Sequence, residues 1–142
     1  EALVKLVLDA SAAVKLFREE EETLEMRQIV DLYKRRRISI YVPSLLLVEL
    51  ANALRYTQVL TTHDVFETLE ALKKLRLKVV DVRHVLNRAV ELAFEYDVTV
   101  YDAVYVALAE LVKGVLITYD KELLRKFPAV AKRASEFLGL LS

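Results

Sequence analysis

Two hydrophobic rhythms alternate along this chain. Short apolar runs of strand length recur between longer stretches whose apolar residues fall at helical spacing. Residues 3–8 (LVKLVL), 38–42, 77–82 and 115–118 are the short runs, and each predicts a buried strand. Helical spacing predicts helices over residues 11–17, 21–37, 45–60, 62–75, 85–96, 101–112 and 121–127. The tail, 130–140, reads equally as a helix or as a last edge strand. Pro43-Ser44 stops the second strand, and Gly114 stands where a left-handed residue would close the helix before it. Strands alternating with helices predict a three-layer α/β/α architecture around a central parallel sheet of four or five strands. No repeat, linker or low-complexity segment divides residues 1–142, so one domain is expected.

Composition narrows this picture. With 55% apolar residues, the chain can bury enough surface to offset its ordering entropy, which excludes disorder. Two Gly and two Pro are too few for a turn-rich sandwich of short strands. The absence of Cys excludes a disulfide framework and a thiolate metal site. Uncharged runs are too short to span a bilayer and no signal-peptide layout is visible, so a soluble cytoplasmic protein is expected.

Chemistry is most legible in four acids. Asp9 and Asp120 each follow an apolar strand, and in open parallel sheets sites form at the carboxyl ends of strands. Taken singly, each is more simply read as the cap of the helix that follows it. Glu49 lies in LLLVELANAL, a stretch apolar almost all round and therefore expected to be buried, with no Lys or Arg three or four residues away. A buried carboxylate has to be paired, protonated or bound to a metal. Asp102 opens YDAVYVALAELV, where it also completes a capping-box-like Thr99-Val-Tyr-Asp102. Clustered carboxylates repel one another unless a cation compensates, and Mg²⁺ or Mn²⁺ takes oxygen ligands of this kind. Thr118 and Ser11 stand beside two of the acids and could orient them, or could be ordinary cap hydroxyls.

The segments VLDASAAVKLF, VPSLLLVELANAL, TVYDAVYVALAE and LITYD, taken in that order, resemble the PIN domain, and within it the VapC-type toxins of toxin–antitoxin pairs. The resemblance covers essentially the whole chain. It implies a four-acid site of Asp9, Glu49, Asp102 and Asp120 holding Mg²⁺ or Mn²⁺, with Thr118 matching the family's hydroxyl two residues before the last acid. It further implies cleavage of single-stranded RNA, homodimers, and inhibition by a cognate antitoxin whose tail enters the active-site groove. Glu122 is out of register with an extra acid that some relatives carry. A catalytically silent PIN-like interaction domain, or a PIN nuclease of RNA processing, is the alternative. A dehalogenase-type phosphatase fails because Ser11 stands where a second Asp is needed. A response-regulator receiver fails for want of an acidic pair near the first strand.

The total of 21 basic against 21 acidic residues conceals an uneven distribution. Lys73, Lys74, Arg76, Lys78, Arg83 and Arg88 face one acid, Asp81, in their segment, whereas seven acids face two lysines between Glu91 and Glu122. The basic segment reads as a solvated surface. Lys15, Arg18 and Arg55, each one helix beyond an acid, are the expected phosphate contacts. The helices over 45–60 and 62–75 carry more apolar residues than one sheet face needs, so they supply either a dimer surface or plain core.

Overall fold

Residues 3–141 are described by the computed structural model. Five strands form one all-parallel sheet in the order β3-β2-β1-β4-β5: β1 Val4–Leu8, β2 Ile38–Pro43, β3 Lys78–Val80, β4 Val115–Ile117 and β5 Ala131–Lys132. Eight helices complete the described residues: α1 Ala10–Ala13, α2 Thr23–Lys34, α3 Leu45–Arg55, α4 Thr62–Lys74, α5 Leu86–Tyr96, α6 Val100–Val112, α7 Lys121–Lys126 and α8 Ala134–Leu141. Successive side chains of a strand point to opposite faces, yet Leu6, Val7 and Leu8 of β1 are all fully buried. Both faces of the sheet are therefore covered, as a parallel sheet requires. Helices α2 and α8 pack together in one layer, and α6 with α5 in the other. This is the expected three-layer α/β/α fold.

The chain is cut more finely than its hydrophobic pattern suggests. The helix expected over 45–60 ends at Arg55, because Thr61 caps α4 through a reciprocal box in which it accepts from Asp64 N and donates its own N–H to the Asp64 carboxylate. Residues 11–17 divide into α1 and a 3₁₀ turn, Val14–Leu16. Helix α2 starts only after Glu22, whose φ of 67° breaks the helical path, and stops before Arg35. The ambiguous tail contains both alternatives, a two-residue edge strand followed by α8. Of α3, only the stripe Leu46, Leu50 and Leu54 is buried, so the helix is not apolar-packed all round as its composition suggested.

The expected role of Gly114 needs correcting. The left-handed residue closing α6 is Lys113, at φ 57°, and no glycine has positive φ. What Gly114 provides is room: a Cβ there would sit 2.4 Å from the Lys5 carbonyl oxygen, on the neighbouring strand. Gly114→Ala therefore forces β4 away from β1 and is expected to cost about 1–3 kcal/mol. A thermal or urea midpoint unchanged by this substitution would contradict the packing.

Candidate active site at the carboxyl edge of the sheet

β1 is the central strand, and the chain crosses over it between β3 and β4. That reversal creates a crevice at the carboxyl ends of β1 and β4, where ligands of such sheets bind. Leu8 of β1 pairs with Ile117 of β4, so the loops that follow them emerge side by side. Asp9 and Asp120 stand at the starts of those loops. Both cap helices as well as facing the crevice: Asp9 Oδ1 accepts from Ala12 N (3.0 Å) and Asp120 Oδ1 from Leu123 N (3.0 Å). The capping and functional readings are thus compatible.

Glu49 comes from the second turn of α3 and Asp102 from the first turn of α6. All four acids line one open cleft of about 560 Å³, together with Ser11, Val48, Asn52, Tyr101 and Tyr105. In α6, Thr99 accepts from Asp102 N at 3.0 Å, but the return bond to Thr99 N that would complete a capping box is absent. The Asp102 carboxylate faces the cleft, with the Thr99 side chain beside it.

Two hydroxyls brace Asp9. Ser11 Oγ donates to Oδ1 at 2.6 Å and Thr118 Oγ1 donates to Oδ2 at 2.5 Å. The same oxygens accept from the next turn: Ser11 Oγ from Tyr119 N (2.9 Å), Thr118 Oγ1 from Asp120 N (3.1 Å). Ser11 and Thr118 thereby lock the β1 and β4 loops into one arrangement.

Electrostatics show what these acids lack. Burial pushes Asp9 up to about 6, and the charge of Asp102 adds to this while the bonds from Ser11, Thr118 and Ala12 oppose it. Burial also raises Glu49, which Tyr105 partly offsets and Asp102 reinforces. Asp102 is raised by burial and then by Asp120, while the Thr99 side chain opposes the shift. The donors are all oxygens and they repel one another, which suits a hard divalent cation. Among the described residues, no three His, Cys, Asp or Glu side chains already stand close enough to enclose an ion. This fits an open site rather than a cage, since Mg²⁺ keeps several waters and uses one or two carboxylates plus substrate phosphate.

Several contributors were not foreseen. Tyr105 is almost fully buried and its hydroxyl donates to Glu49 Oε1 at 2.5 Å, fixing that carboxylate against the α6 layer. Its signal in sequence was a phenol set among aliphatic residues three positions after Asp102, and so on the same helix face. Tyr119, between Thr118 and Asp120, donates its hydroxyl to Glu22 Oε1 (2.7 Å) and accepts from Ala134 N (3.1 Å), while Glu22 also accepts from Ser135. Partial burial works against ionisation of Glu22, but the bonds from Tyr119 and Ser135 outweigh it and hold its carboxyl below the usual range. No local pattern could reveal a joint between residues about a hundred positions apart.

The expected phosphate contacts fare less well. Lys15 is buried; its Nζ donates to the Glu21 carbonyl (2.8 Å) and to Glu20 (3.3 Å), and lies 4.3 Å from the Tyr119 ring centroid. It is a structural cation, not a phosphate ligand. Arg18 is shared between Glu20 and Thr57. Arg55 rests over the Tyr56 ring and forms no ion pair among the described residues. In the basic segment, Lys73, Arg83 and Arg88 pair with Glu70, Asp81 and Glu110, which is the solvated surface the charge run predicts. Among the described residues, no Lys or Arg lines the acidic cleft.

A five-stranded all-parallel sheet of this order, covered by helices on both faces, is the fold of the PIN domain. Residues 6–130 match that family, and the chain belongs to it. The chain is 37% identical over 132 residues to Ribonuclease VapC3 of Pyrobaculum aerophilum, covering 89% of this chain and 98% of that protein. Among solved structures, PAE2754 from Pyrobaculum aerophilum superimposes with a TM-score of 0.70 at 26% identity, over 97% of this chain and 95% of that one. VapBC2 from Rickettsia felis, solved bound to a DNA fragment from its promoter, has a TM-score of 0.71 at 15% identity, over 92% and 98%, a likeness of fold alone. The resemblance carried by the four sequence segments is borne out.

Proposed function

We propose that this chain is an Mg²⁺- or Mn²⁺-dependent endoribonuclease that cleaves single-stranded RNA as the toxin of a VapBC-type pair. The observation that carries the reading is the convergence of Asp9, Glu49, Asp102 and Asp120, from four separate elements, on one cleft. Identity to a protein named a ribonuclease supports the activity. Asp9, Asp102 and Asp120 are the residues that would hold the cation, with Glu49 reaching it through water or positioning the attacking water. When bound, such an ion polarises a phosphoryl oxygen and lowers the pKa of water.

The chain's own groups supply the rest. Ser11 and Thr118 hold Asp9 in one orientation, so no reorganisation is needed when a phosphate arrives. Tyr105 occupies Glu49 Oε1, leaving Oε2 as the atom that can accept a proton from an attacking water. Backbone N–H groups of Leu123 and Thr118's hydroxyl fix the Asp120 loop.

Partners follow the same reading. A cognate antitoxin is the protein partner, with its tail entering the acidic cleft. A homodimer is the assembly; Tyr56, Val59 and Phe66, exposed at the α3–α4 end, offer it apolar surface. Among the described residues, no helix is long and apolar enough to cross a membrane; the cytoplasm, where RNA is met, is the proposed location. Incubating the purified protein with single-stranded RNA tests the activity. Cleavage with Mn²⁺ that stops on chelation is expected; no cleavage with either Mg²⁺ or Mn²⁺ would sink the reading.

A further inference from the structure

The acidic cleft presents a problem for any polyanion. Among the described residues, its lining holds four carboxylates and no Lys or Arg, so phosphate attraction by side chains cannot supply substrate affinity there. A cation accounts for the scissile phosphate only. The nucleotide beside that phosphate needs some other source of binding energy.

Two exposed side chains line this cleft without contributing to the core. Tyr101 precedes Asp102 at the start of α6 and is 63% exposed; Val48 precedes Glu49 on α3 and is 68% exposed. Both line the same cleft as the acids. Neither is needed for the core, which α6 supplies through Ala103 to Ala109 and α3 through Leu46, Leu50 and Leu54. The Tyr101 hydroxyl makes no hydrogen bond with the described residues, so nothing but solvent accounts for an aromatic ring at this position. Asn52, one turn beyond Val48, adds an exposed amide with both donor and acceptor to the same lining.

We propose that Tyr101, flanked by Val48 and Asn52, forms a nucleobase subsite that stacks the base next to the scissile phosphate. This rests on the reading of the cleft as an RNA-hydrolysing site and specifies how that site holds its substrate. Single-stranded RNA is recognised by splayed bases stacked on aromatic rings and hydrogen-bonded at their edges, and stacking draws on the π-face that every base carries rather than on its charge. An unpaired base fits here better than a duplex, whose bases are already stacked on one another. Tyr101 is a binding residue in this scheme, whereas Asn52 would read the base edge.

The test uses the full chain with Mn²⁺ and a short single-stranded RNA containing a mapped cut site, either intact or with one abasic nucleotide beside the cut. Tyr101→Ala is expected to raise KM about 10-fold, with a smaller change in kcat, and Tyr101→Phe to recover most of that loss because the ring is restored. The abasic nucleotide should raise KM for the wild-type protein but add little to Tyr101→Ala, since both changes remove the same stack. Unchanged KM in Tyr101→Ala, or two penalties that add in full, would overturn the subsite while leaving the hydrolase reading standing. Loss of Mn²⁺-induced thermal stabilisation in Tyr101→Ala would also overturn it, by showing that the ring acts on the acids. A wild-type protein that cleaves no RNA overturns the hydrolase reading, and the subsite with it.

Discussion

Asp102→Asn is expected to lower RNA cleavage by about 10²–10³-fold, the usual loss when one preorganised electrostatic group is removed from a site where charge develops. The substitution is nearly isosteric, and the cap that starts α6 uses the main-chain N–H of residue 102 and the hydroxyl of Thr99, neither of which it alters. Removing the charge also relieves repulsion felt by both Asp9 and Glu49, whose carboxyls Asp102 helps to raise. The variant should therefore melt no lower than the wild-type protein without metal, and should gain less from added Mn²⁺. Comparing cut-site maps in cells expressing each version would separate this loss from background nucleases. Undiminished cleavage by a folded Asp102→Asn protein would remove the acid from the mechanism.

The second large effect concerns pH and metal together. Asp9 moves from its ordinary 3.8 to about 6 on folding, chiefly through burial, so the native state holds this proton more tightly than the unfolded chain does. Its stabilising contribution is fully present below about pH 4 and is lost as pH rises through about 6, amounting to as much as about 3 kcal/mol. Glu49 and Asp102 are raised as well and act in the same direction. Carboxyls that folding lowers, such as Asp81 at about 2, act oppositely, but their contribution is lost only on the acid side of pH 4. Metal-free protein is therefore expected to lose thermal stability between pH 5 and pH 7. Mn²⁺ binds the ionised carboxylates, so its stabilisation should grow over that same interval and flatten the profile. Calorimetric scans at several pH values, with and without Mn²⁺, decide the matter. A metal-free midpoint that climbs from pH 5 to pH 7, with no response to Mn²⁺, would refute the assignment.

Much of this was legible in the sequence because strand and helix periods are local properties. The four longer strands and the order of the helices follow from runs such as VLIT and LVL and from the spacing of leucines. The boundary errors came from chemistry that periodicity does not register. The Thr61–Asp64 box ended α3 early, and Glu22 took a left-handed conformation that hydrophobic pattern cannot announce. Asp9, Glu49, Asp102 and Asp120 stood out as candidates because each adjoins an apolar run, and the fold brings all four to one cleft. Lys15 was misjudged because proximity to Asp9 along the chain says nothing about which carbonyl its ammonium reaches. Tyr105 and Tyr119 act through bonds to Glu49 and Glu22, made across separations that only the folded chain closes.

The unfavourable ionisation of Asp9 has an evolutionary side. In most proteins the commonest route to lost activity is lost stability, because most substitutions destabilise. Here the charges of Asp9, Glu49 and Asp102 work against the metal-free fold, so a change such as Asp102→Asn, which keeps the main-chain cap of α6, would remove activity under the proposed mechanism without penalising folding. Silenced descendants of such a gene can accumulate as well-folded proteins, still able to engage whatever binds the unaltered surface.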